Sequence, residues 1–217
     1  LACTTVLCTD KTGTLTQNRM SVQALVRQGP QGMSRWSANA NANDAAPDGD
    51  FDALLQSAVL ASEREPADAM EQAIHRLGQQ KHFAPPPRNW ALLHEYPLSS
   101  QRPAMTHVWR TGASAPAVVH AKGAPETVLR WCRLAPQERE ALLAEAARLA
   151  AGGMRVLAVA RAQAGTPPWP DRPDDLPFEA LGLLALADPL RSGAAAGGDG
   201  CRGPGIRGVM LTGRPAG

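Results

Sequence analysis

Aromatic residues are scarce in this chain of 217 residues, since they make up 4% of it and include a single tyrosine. Lysine is rarer than arginine and occurs only at Lys11, Lys81 and Lys122. The formal net charge is +2 and the basic residues are scattered singly, so no basic field indicates a nucleic-acid partner. The apolar run 180–187 is far shorter than the roughly 18 residues expected of a membrane-spanning helix.

Cysteine is also sparse, and its spacing gives zinc and dithiol chemistry little support. No CxxC pair is formed by the four cysteines, which are Cys3, Cys8, Cys132 and Cys201. Reduced thiols are the expected state. No signal-peptide pattern is present at the start, because charged residues follow too early. The chain begins with Leu1 rather than Met, so we expect a piece of a longer protein.

The order of apolar runs and turn residues predicts an α/β fold with a large α+β insertion. Strands are predicted at 4–8, 21–27, 90–96, 104–110, 117–121, 155–161, 178–187 and 208–211. Helices are predicted at 51–62, 67–79, 125–132 and 136–151. Residues 29–50 are rich in Gly, Ala, Asn and Ser, and are predicted to form a loop or a disordered insertion.

The strongest chemical signal is the segment 10–16, DKTGTLT, directly after a predicted buried strand. A carboxylate in that position lies where open α/β sheets bind ligands, and Asp10 can attack a phosphoryl group. Lys11 supplies a cation, Gly13 lets backbone amides approach a phosphate, and Thr12 and Thr14 offer hydroxyls. A surface turn is the alternative, since Asp, Thr and Gly favour turns, but a motif of this length argues against it.

The segment DKTGTLT resembles the phosphorylation signature of the P-type ATPases. The resemblance implies catalytic roles for Asp10, Lys11 and Thr12, with Mg²⁺ held at Asp10 and Thr12. It also implies an incomplete haloacid-dehalogenase-like phosphorylation domain, interrupted by an α+β nucleotide-binding domain. Soluble phosphatases of that superfamily usually carry a second Asp at the position of Thr12, where it acts as general acid and base. A threonine cannot do that work, so a simple phosphatase is disfavoured.

Two further motifs resemble nucleotide-binding elements of the same family. The segment 122–126, KGAPE, places Lys122 and Gly123 in the ATP pocket by resemblance, and Pro125 suits the first turn of a helix. The segment 153–160, GMRVLAVA, implies that Arg155 contacts the phosphates. Taken alone, each has an ordinary alternative, which is a solvated lysine in one case and an arginine at an exposed strand start in the other.

The base-binding residues are implied by weaker patterns. Asp68-Ala69-Met70-Glu71 resembles an Asp-Pro-x-Glu pattern whose glutamate contacts adenine, which assigns that role to Glu71. Many pumps carry a stacking Phe at the position of Leu98, which packs against a base but does not stack on it. Tyr96 either supplies the aromatic surface or belongs to the core.

The last part of the chain resembles the return to the phosphorylation domain. Asp188-Pro189-Leu190-Arg191 resembles the hinge, with Asp188 near the ribose and phosphates, and Thr212-Gly213 resembles the start of a Thr-Gly-Asp motif. Arg214 occupies the Asp position of that motif. The family order gives the phosphorylation domain residues 1–17 and 188–217, and gives the nucleotide-binding domain residues 18–187.

The resemblance implies hydrolysis of ATP, with Mg²⁺, through an aspartyl-phosphate that drives cation transport. The expected location is the cytoplasmic face of a membrane, and the expected partners are ATP, a cation, and actuator and transmembrane domains outside these residues. The KGAPE segment indicates the calcium, sodium and proton pump branches in a bacterial-like form. The 217 residues alone are expected to be inactive. A nucleotide-binding module without catalysis and a gene remnant stay open as alternatives.

Overall fold

The computed structural model describes residues 6–10, 14–29, 32–38, 47–83, 90–112, 115–189, 191 and 207–211. In chain order the strands are β1 (Val6–Asp10), β2 (Ser21–Gly29), β3 (Gly32–Ser37), β4 (Ala91–Tyr96), β5 (Ala104–Arg110), β6 (Ala117–Gly123), β7 (Arg155–Ala164), β8 (Glu179–Ala187) and β9 (Arg207–Leu211). The α-helices are α1 (Asp52–Leu60), α2 (Ala69–Gln80), α3 (Pro125–Trp131) and α4 (Pro136–Ala151). The protein divides into two compact units, Val22–Ala187 and the combination of Leu1–Ser21 with Asp188–Gly217.

The larger unit is built on a sheet of seven strands in the order β3-β2-β8-β7-β6-β5-β4. Strands β4 to β8 pair with their neighbours in antiparallel fashion, and β2 pairs with β3 in the same way. Because successive side chains of a strand point to opposite faces, the sheet has two separate apolar layers. The mixed α/β architecture with a large sheet agrees with the predicted fold class at that level.

Helices cover both faces of this sheet. On one face, α3 and α4 pack through Leu129 and Leu142 against the small side chains of β6 and β7, such as Ala121 and Ala160. On the other face lie α1 and α2, where Ser57 of α1 contacts His120 of β6. The α1 and α2 face therefore carries the polar groups of the strands, and the α3 and α4 face is mostly apolar.

Gly182 marks a close approach between β8 and its neighbours. The register of β7 and β8 shifts between Val159 and Ala160, which places Gly182 opposite Val159. The φ angle of Gly182 is +144°, and a β-carbon there would overlap the carbonyl oxygen of Val26 and lie 2.5 Å from Cδ1 of Leu54. Only glycine fits both the backbone conformation and the space.

The smaller unit contains a parallel pair of strands, β1 and β9. Their register places Asp10 opposite Leu211 and Val6 opposite Arg207. Leu15 and Gln17 of the same unit lie beside Pro189 and Arg191, because the amide of Gln17 donates to the carbonyl of Pro189 and the amide of Arg191 donates to that of Leu15. Two segments far apart in sequence are thus joined through their backbones.

Most elements predicted from the sequence are confirmed, with shifted ends. Helix α2 begins two residues later than predicted, and β7 continues to Ala164 rather than 161. The prediction of a loop over 29–50 is wrong at Gly32–Ser37, which forms β3 and pairs with β2 across a short connection. Gly32 has φ +108°, a conformation that permits this tight reversal. Among the described residues, no helix is both long and apolar enough to cross a membrane.

Candidate functional site

Glu71 and Lys122 form a buried ion pair. The Nζ of Lys122 donates a hydrogen bond to Oε1 of Glu71, and the two residues are 6% and 7% exposed, respectively. The same ammonium donates to the carbonyl oxygen of Ala61 at 2.6 Å, and the Sδ of Met105 lies 3.8 Å away. Two residues that the sequence assigns to nucleotide binding are therefore in direct contact, although 51 positions separate them.

The start of α2 positions Glu71. The side chain of Asp68 caps this helix by accepting from the amides of Met70 at 2.9 Å and Glu71 at 3.2 Å. In a capping box the glutamate three residues after the cap turns back to the cap amide. Here Glu71 instead reaches Lys122 with one oxygen, and its Oε2 accepts from the amide of Glu63 at 3.4 Å. The Asp68-x-x-Glu71 spacing thus fixes both the helix start and the carboxylate.

The end of β6 positions Lys122. Lys122 pairs with Met105 and Gly123 pairs with Ala104 across the β5 and β6 ladder. A β-carbon on Gly123 would overlap the Cα of Ala104 and the carbonyl oxygen of Pro103, so the glycine permits a backbone contact at this point. The chain then enters α3 with Pro125 at its first position, as predicted.

Burial sets the electrostatics of the site. Desolvation lowers the pKa of Lys122, and the adjacent Glu71 carboxylate opposes that effect. His75 lies one helical turn after Glu71, and burial lowers the pKa of this imidazole as well. His107, two pairs further along the β5 and β6 ladder than Met105, has a pKa lowered by burial too. The histidines of this face are thus held towards their neutral form.

Three other predicted positions lie at the same edge of the sheet, where β4 and β6 end and β5 and β7 begin. Leu98 follows β4 and is 61% exposed, an unusual exposure for a large apolar side chain. Arg155 is exposed at the first position of β7. Tyr96 is buried, and its hydroxyl donates to the carbonyl of Pro170 at 2.7 Å, which supports its place in the core. We call Glu71, Leu98, Lys122, Gly123 and Arg155 the candidate nucleotide site.

The smaller unit holds the predicted hinge residue. The hydroxyl of Thr16 donates to Oδ2 of Asp188 at 2.6 Å, and the amide of Arg19 donates to Oδ1 at 3.0 Å. One carboxylate oxygen of Asp188 therefore binds the last residue of the DKTGTLT segment, and the other binds the backbone three residues later. Asp10 is the last residue of β1. The predicted residues Lys11, Thr12, Thr212 and Gly213, with Arg214, lie outside the described residues, as does the side chain of Asp10.

Sequence reasoning did not predict several partners of these residues. The carbonyl of Ala61 is a backbone acceptor, and every residue has one, so no pattern of side chains predicts this contact. Thr16 belongs to the DKTGTLT segment, but its bond to Asp188 spans 172 positions. His75 follows Glu71 at the i, i+4 spacing that brings side chains to one helix face, so this neighbour was available from the sequence.

Comparisons with known proteins show the family of this chain. Residues 53–193 match the family model described as "P-type ATPase, cytoplasmic domain N". This range includes every residue of the candidate nucleotide site. The chain belongs to the P-type ATPase family. Within it, "Probable cation-transporting ATPase F" of Mycobacterium tuberculosis (strain ATCC 25618 / H37Rv) is 32% identical over 255 aligned residues, which cover 100% of this chain and 27% of that ATPase.

Two other P-type ATPase relatives are similar over most of the chain. "Calcium-transporting ATPase type 2C member 1" of Homo sapiens is 27% identical, across 89% of this chain and 23% of that protein. "Probable cation-transporting ATPase I" of Mycobacterium leprae (strain TN) is 30% identical, across 85% of this chain and 12% of that protein. The chain therefore spans about a quarter or less of the length of these relatives.

Proposed function

We propose that this chain binds ATP at the candidate nucleotide site. The observation that carries the proposal is the buried contact between Glu71 and Lys122, at a sheet edge where Leu98 and Arg155 remain exposed. An apolar side chain and a guanidinium exposed at one edge suit a ligand with a flat base and an anionic tail. Pairing of the buried charges keeps the lysine in place for that ligand.

Each residue has a role that its surroundings support. The ammonium of Lys122 carries three hydrogens, and two of them serve Glu71 and Ala61. The third hydrogen is available to the Sδ of Met105 at 3.8 Å, which is a weak acceptor. The ammonium therefore keeps donor capacity for a nucleotide. Arg155 offers a planar fork that matches phosphate geometry.

The sheet edge supplies the rest of the proposed site. Leu98 gives the base an apolar surface. Gly123 allows the backbones of β5 and β6 to approach each other closely at this end of the sheet. We expect a dissociation constant near 1 mM for ATP, about −4 kcal/mol, because so few groups contact the ligand.

The smaller unit is proposed to carry phosphoryl transfer within a longer pump. A carboxylate oxygen of Asp10 attacks the γ-phosphorus. The bond between the γ-phosphorus and the oxygen that bridges it to the β-phosphate breaks, and ADP leaves. Water then hydrolyses the aspartyl-phosphate and releases phosphate. Lys11 offsets charge on the transferred group. The register of β1 and β9 supports the arrangement, because Thr212 and Gly213 directly follow Leu211, the partner of Asp10.

Magnesium fits the chemistry of the proposed donors. The ion prefers oxygen ligands, and Asp10 ends a strand of a parallel pair, at the edge where such sheets bind ligands. Asp10 and Thr12 would hold it together with phosphate oxygens. When bound, it supplies neutralisation of the charge that develops on the phosphoryl group.

The domain assignment follows from these roles. Residues 1–17 and 188–217 are proposed to form a haloacid-dehalogenase-like phosphorylation domain, and residues 18–187 the nucleotide-binding domain. Asp188 is proposed as the hinge between them and as a contact for the nucleotide. The complete protein is proposed to transport a cation, with these domains at the cytoplasmic face of its membrane.

Binding of ATP is tested with two exposed variants and two matched controls. Leu98→Ala and Arg155→Ala change exposed side chains, so a loss of affinity does not come from unfolding. Leu92→Ala and Arg161→Ala alter the same residue types elsewhere on β4 and β7, both exposed. Titration followed by amide NMR shifts is expected to show weaker ATP binding in the first pair only. Equal affinity in all four variants would contradict the proposed site.

Phosphorylation is tested separately. Labelled ATP with Mg²⁺ is expected to give an acid-stable, hydroxylamine-sensitive label on a protein that joins this chain to actuator and membrane domains. The label should disappear in Asp10→Asn. The 217 residues alone are expected to take no label. ATP binding without any label in the longer protein would favour the nucleotide-binding module over the pump.

A further inference from the structure

Three side chains converge beyond the end of α1, on the face of the sheet that carries α1 and α2. One ligand atom from each of Glu63, Glu95 and His107 lies within 4.8 Å of the other two. Glu95 and His107 are cross-strand partners on β4 and β5, and Glu63 lies in the segment between α1 and α2. We call these residues the Glu63 cluster. None of them belongs to the candidate nucleotide site.

His107 is the fixed member of the Glu63 cluster. It is 1% exposed, and its Nδ1 lies 3.1 Å from the carbonyl oxygen of Leu60. Because a carbonyl oxygen only accepts, this contact assigns the ring hydrogen to Nδ1. The indole of Trp109 donates to the same oxygen at 2.8 Å, and the two rings lie edge to face. In the neutral ring, Nε2 then carries a lone pair.

That lone pair faces negative charge. Nε2 of His107 is buried without a hydrogen-bond partner in the described structure, and Oε2 of Glu95 lies 4.0 Å from it. A lone pair and a carboxylate repel each other unless a cation lies between them. A proton or a metal ion fills that role. The second carboxylate of the cluster, that of Glu63, favours the larger charge of a metal ion.

We propose that Glu63, Glu95 and His107 bind a divalent transition-metal ion of the zinc type. Imidazole nitrogen suits such ions, and one histidine with two carboxylates gives three protein ligands and an open position. The carbonyl of Leu60 supplies the outer hydrogen bond that orients a ligating histidine. The absence of a CxxC pair gave zinc chemistry little support from the cysteines, and this cluster uses no thiol.

Small movements of the glutamates complete the coordination. Ligand distances of about 2.0–2.2 Å require the carboxylate oxygens to move inward by roughly 1 Å. Glu63 is exposed and the side chain of Glu95 is 36% exposed, so their rotamers adjust while the imidazole stays fixed.

Neighbouring cations are engaged elsewhere. Lys122 pairs with Glu71, and the guanidinium of Arg64 lies over the Trp109 ring and donates to the carbonyl of Trp90.

The proposal is tested with Zn²⁺ and the 217-residue chain in a buffer that does not chelate metal. Two readouts are used, the Zn²⁺ dissociation constant from calorimetry and the ¹⁵N resonance of the His107 Nε2. Glu63→Gln, Glu95→Gln and His107→Asn each remove one ligand, and Asn keeps an amide near the Leu60 carbonyl. Glu65→Gln is the control, because it neutralises an exposed glutamate two positions from Glu63.

Saturating Zn²⁺ is expected to shift the Nε2 resonance. Each ligand variant is expected to raise the dissociation constant for Zn²⁺ at least tenfold. Glu65→Gln should bind as the unaltered chain does. An unmoved Nε2 resonance, or unchanged Zn²⁺ affinity in both Glu63→Gln and Glu95→Gln, overturns the proposal. If His107→Asn fails to fold, the two exposed glutamate variants and the Nε2 resonance decide the matter. Neither readout involves ATP, so failure of the nucleotide site leaves this test intact.

Discussion

The Nζ of Lys122 donates to Oε1 of Glu71, so the end of strand β6 is joined to the first turn of helix α2 by two buried opposite charges. Neither group reaches bulk water, because each residue is less than a tenth exposed. A buried charge that loses its partner is strongly destabilising, although the intact pair contributes little net stability. The same contact therefore shapes the candidate nucleotide site and constrains substitutions in it.

Lys122→Met is expected to lower the free energy of unfolding by about 3–5 kcal/mol, because it leaves the Glu71 carboxylate buried and unpaired. The double variant Lys122→Met with Glu71→Leu removes both charges and is expected to recover most of that loss. Urea denaturation of the single and double variants measures both values. A double variant no more stable than Lys122→Met would show that the charges do not interact.

Gly182→Ala is expected to destabilise the protein by about 1–3 kcal/mol, because the new methyl group overlaps the Val26 carbonyl and the φ angle is positive. Gly165→Ala is the matched control, since no atom lies within 4 Å of a β-carbon placed there. Thermal unfolding of both variants provides the comparison. Equal melting temperatures would contradict the close approach of β2 and β8.

Stability is expected to fall as the pH drops from 6.5 to 4, because burial lowers the pKa of His120 from 6.5 to about 4. The unfolded chain binds the proton more readily in this window, so the contribution of His120 is complete above pH 6.5 and lost towards pH 4. The whole effect amounts to about 3 kcal/mol for one group. Urea unfolding across this pH range measures it.

His120→Asn should reduce the dependence on pH, because it removes one of the buried histidines, and His75 and His107 retain their lowered pKa values. His82→Asn is the control, since His82 is exposed and its positive φ is tolerated by asparagine. The same slope in His120→Asn and in the unaltered chain would contradict this account.

Elements with local sequence signals were predicted correctly, and an element with contacts remote in sequence was missed. Helix α2 was found from the apolar spacing and good helix formers of 67–79, and Pro125 indicated the start of α3, so both signals are local. Strand β3 was missed because its sequence is polar and rich in small residues. Besides its pairing with β2, β3 has a remote contact, because Arg35 on β3 donates to Glu145 of α4 at 2.8 Å across 110 positions. No local pattern carries that information.

The candidate site shows the same division. Motifs named Glu71 and Lys122 separately, and the fold brings helix α2 and strand β6 together so that the two side chains are in contact. The register also explains Gly123, whose missing side chain lets β5 and β6 approach, a role that the motif alone did not assign. Bonds of Asp188 to Thr16 and Arg19 depend on the backbone pairing of distant segments, which sequence spacing does not reveal.

The scarcity of lysine provides the most direct test of ATP binding at the candidate nucleotide site. Protein labelled with ¹³C and ¹⁵N only in lysine gives side-chain signals from Lys11, Lys81 and Lys122 alone. Lys81 serves as an internal control, because its Nζ is held by the carbonyl of Pro47 at 2.7 Å and by Asp52. Addition of ATP is predicted to shift the Cε and Nζ signals of Lys122 and to leave those of Lys81 in place. Signals of Lys122 that stay unmoved while amide shifts show ATP to be bound would contradict the proposed site.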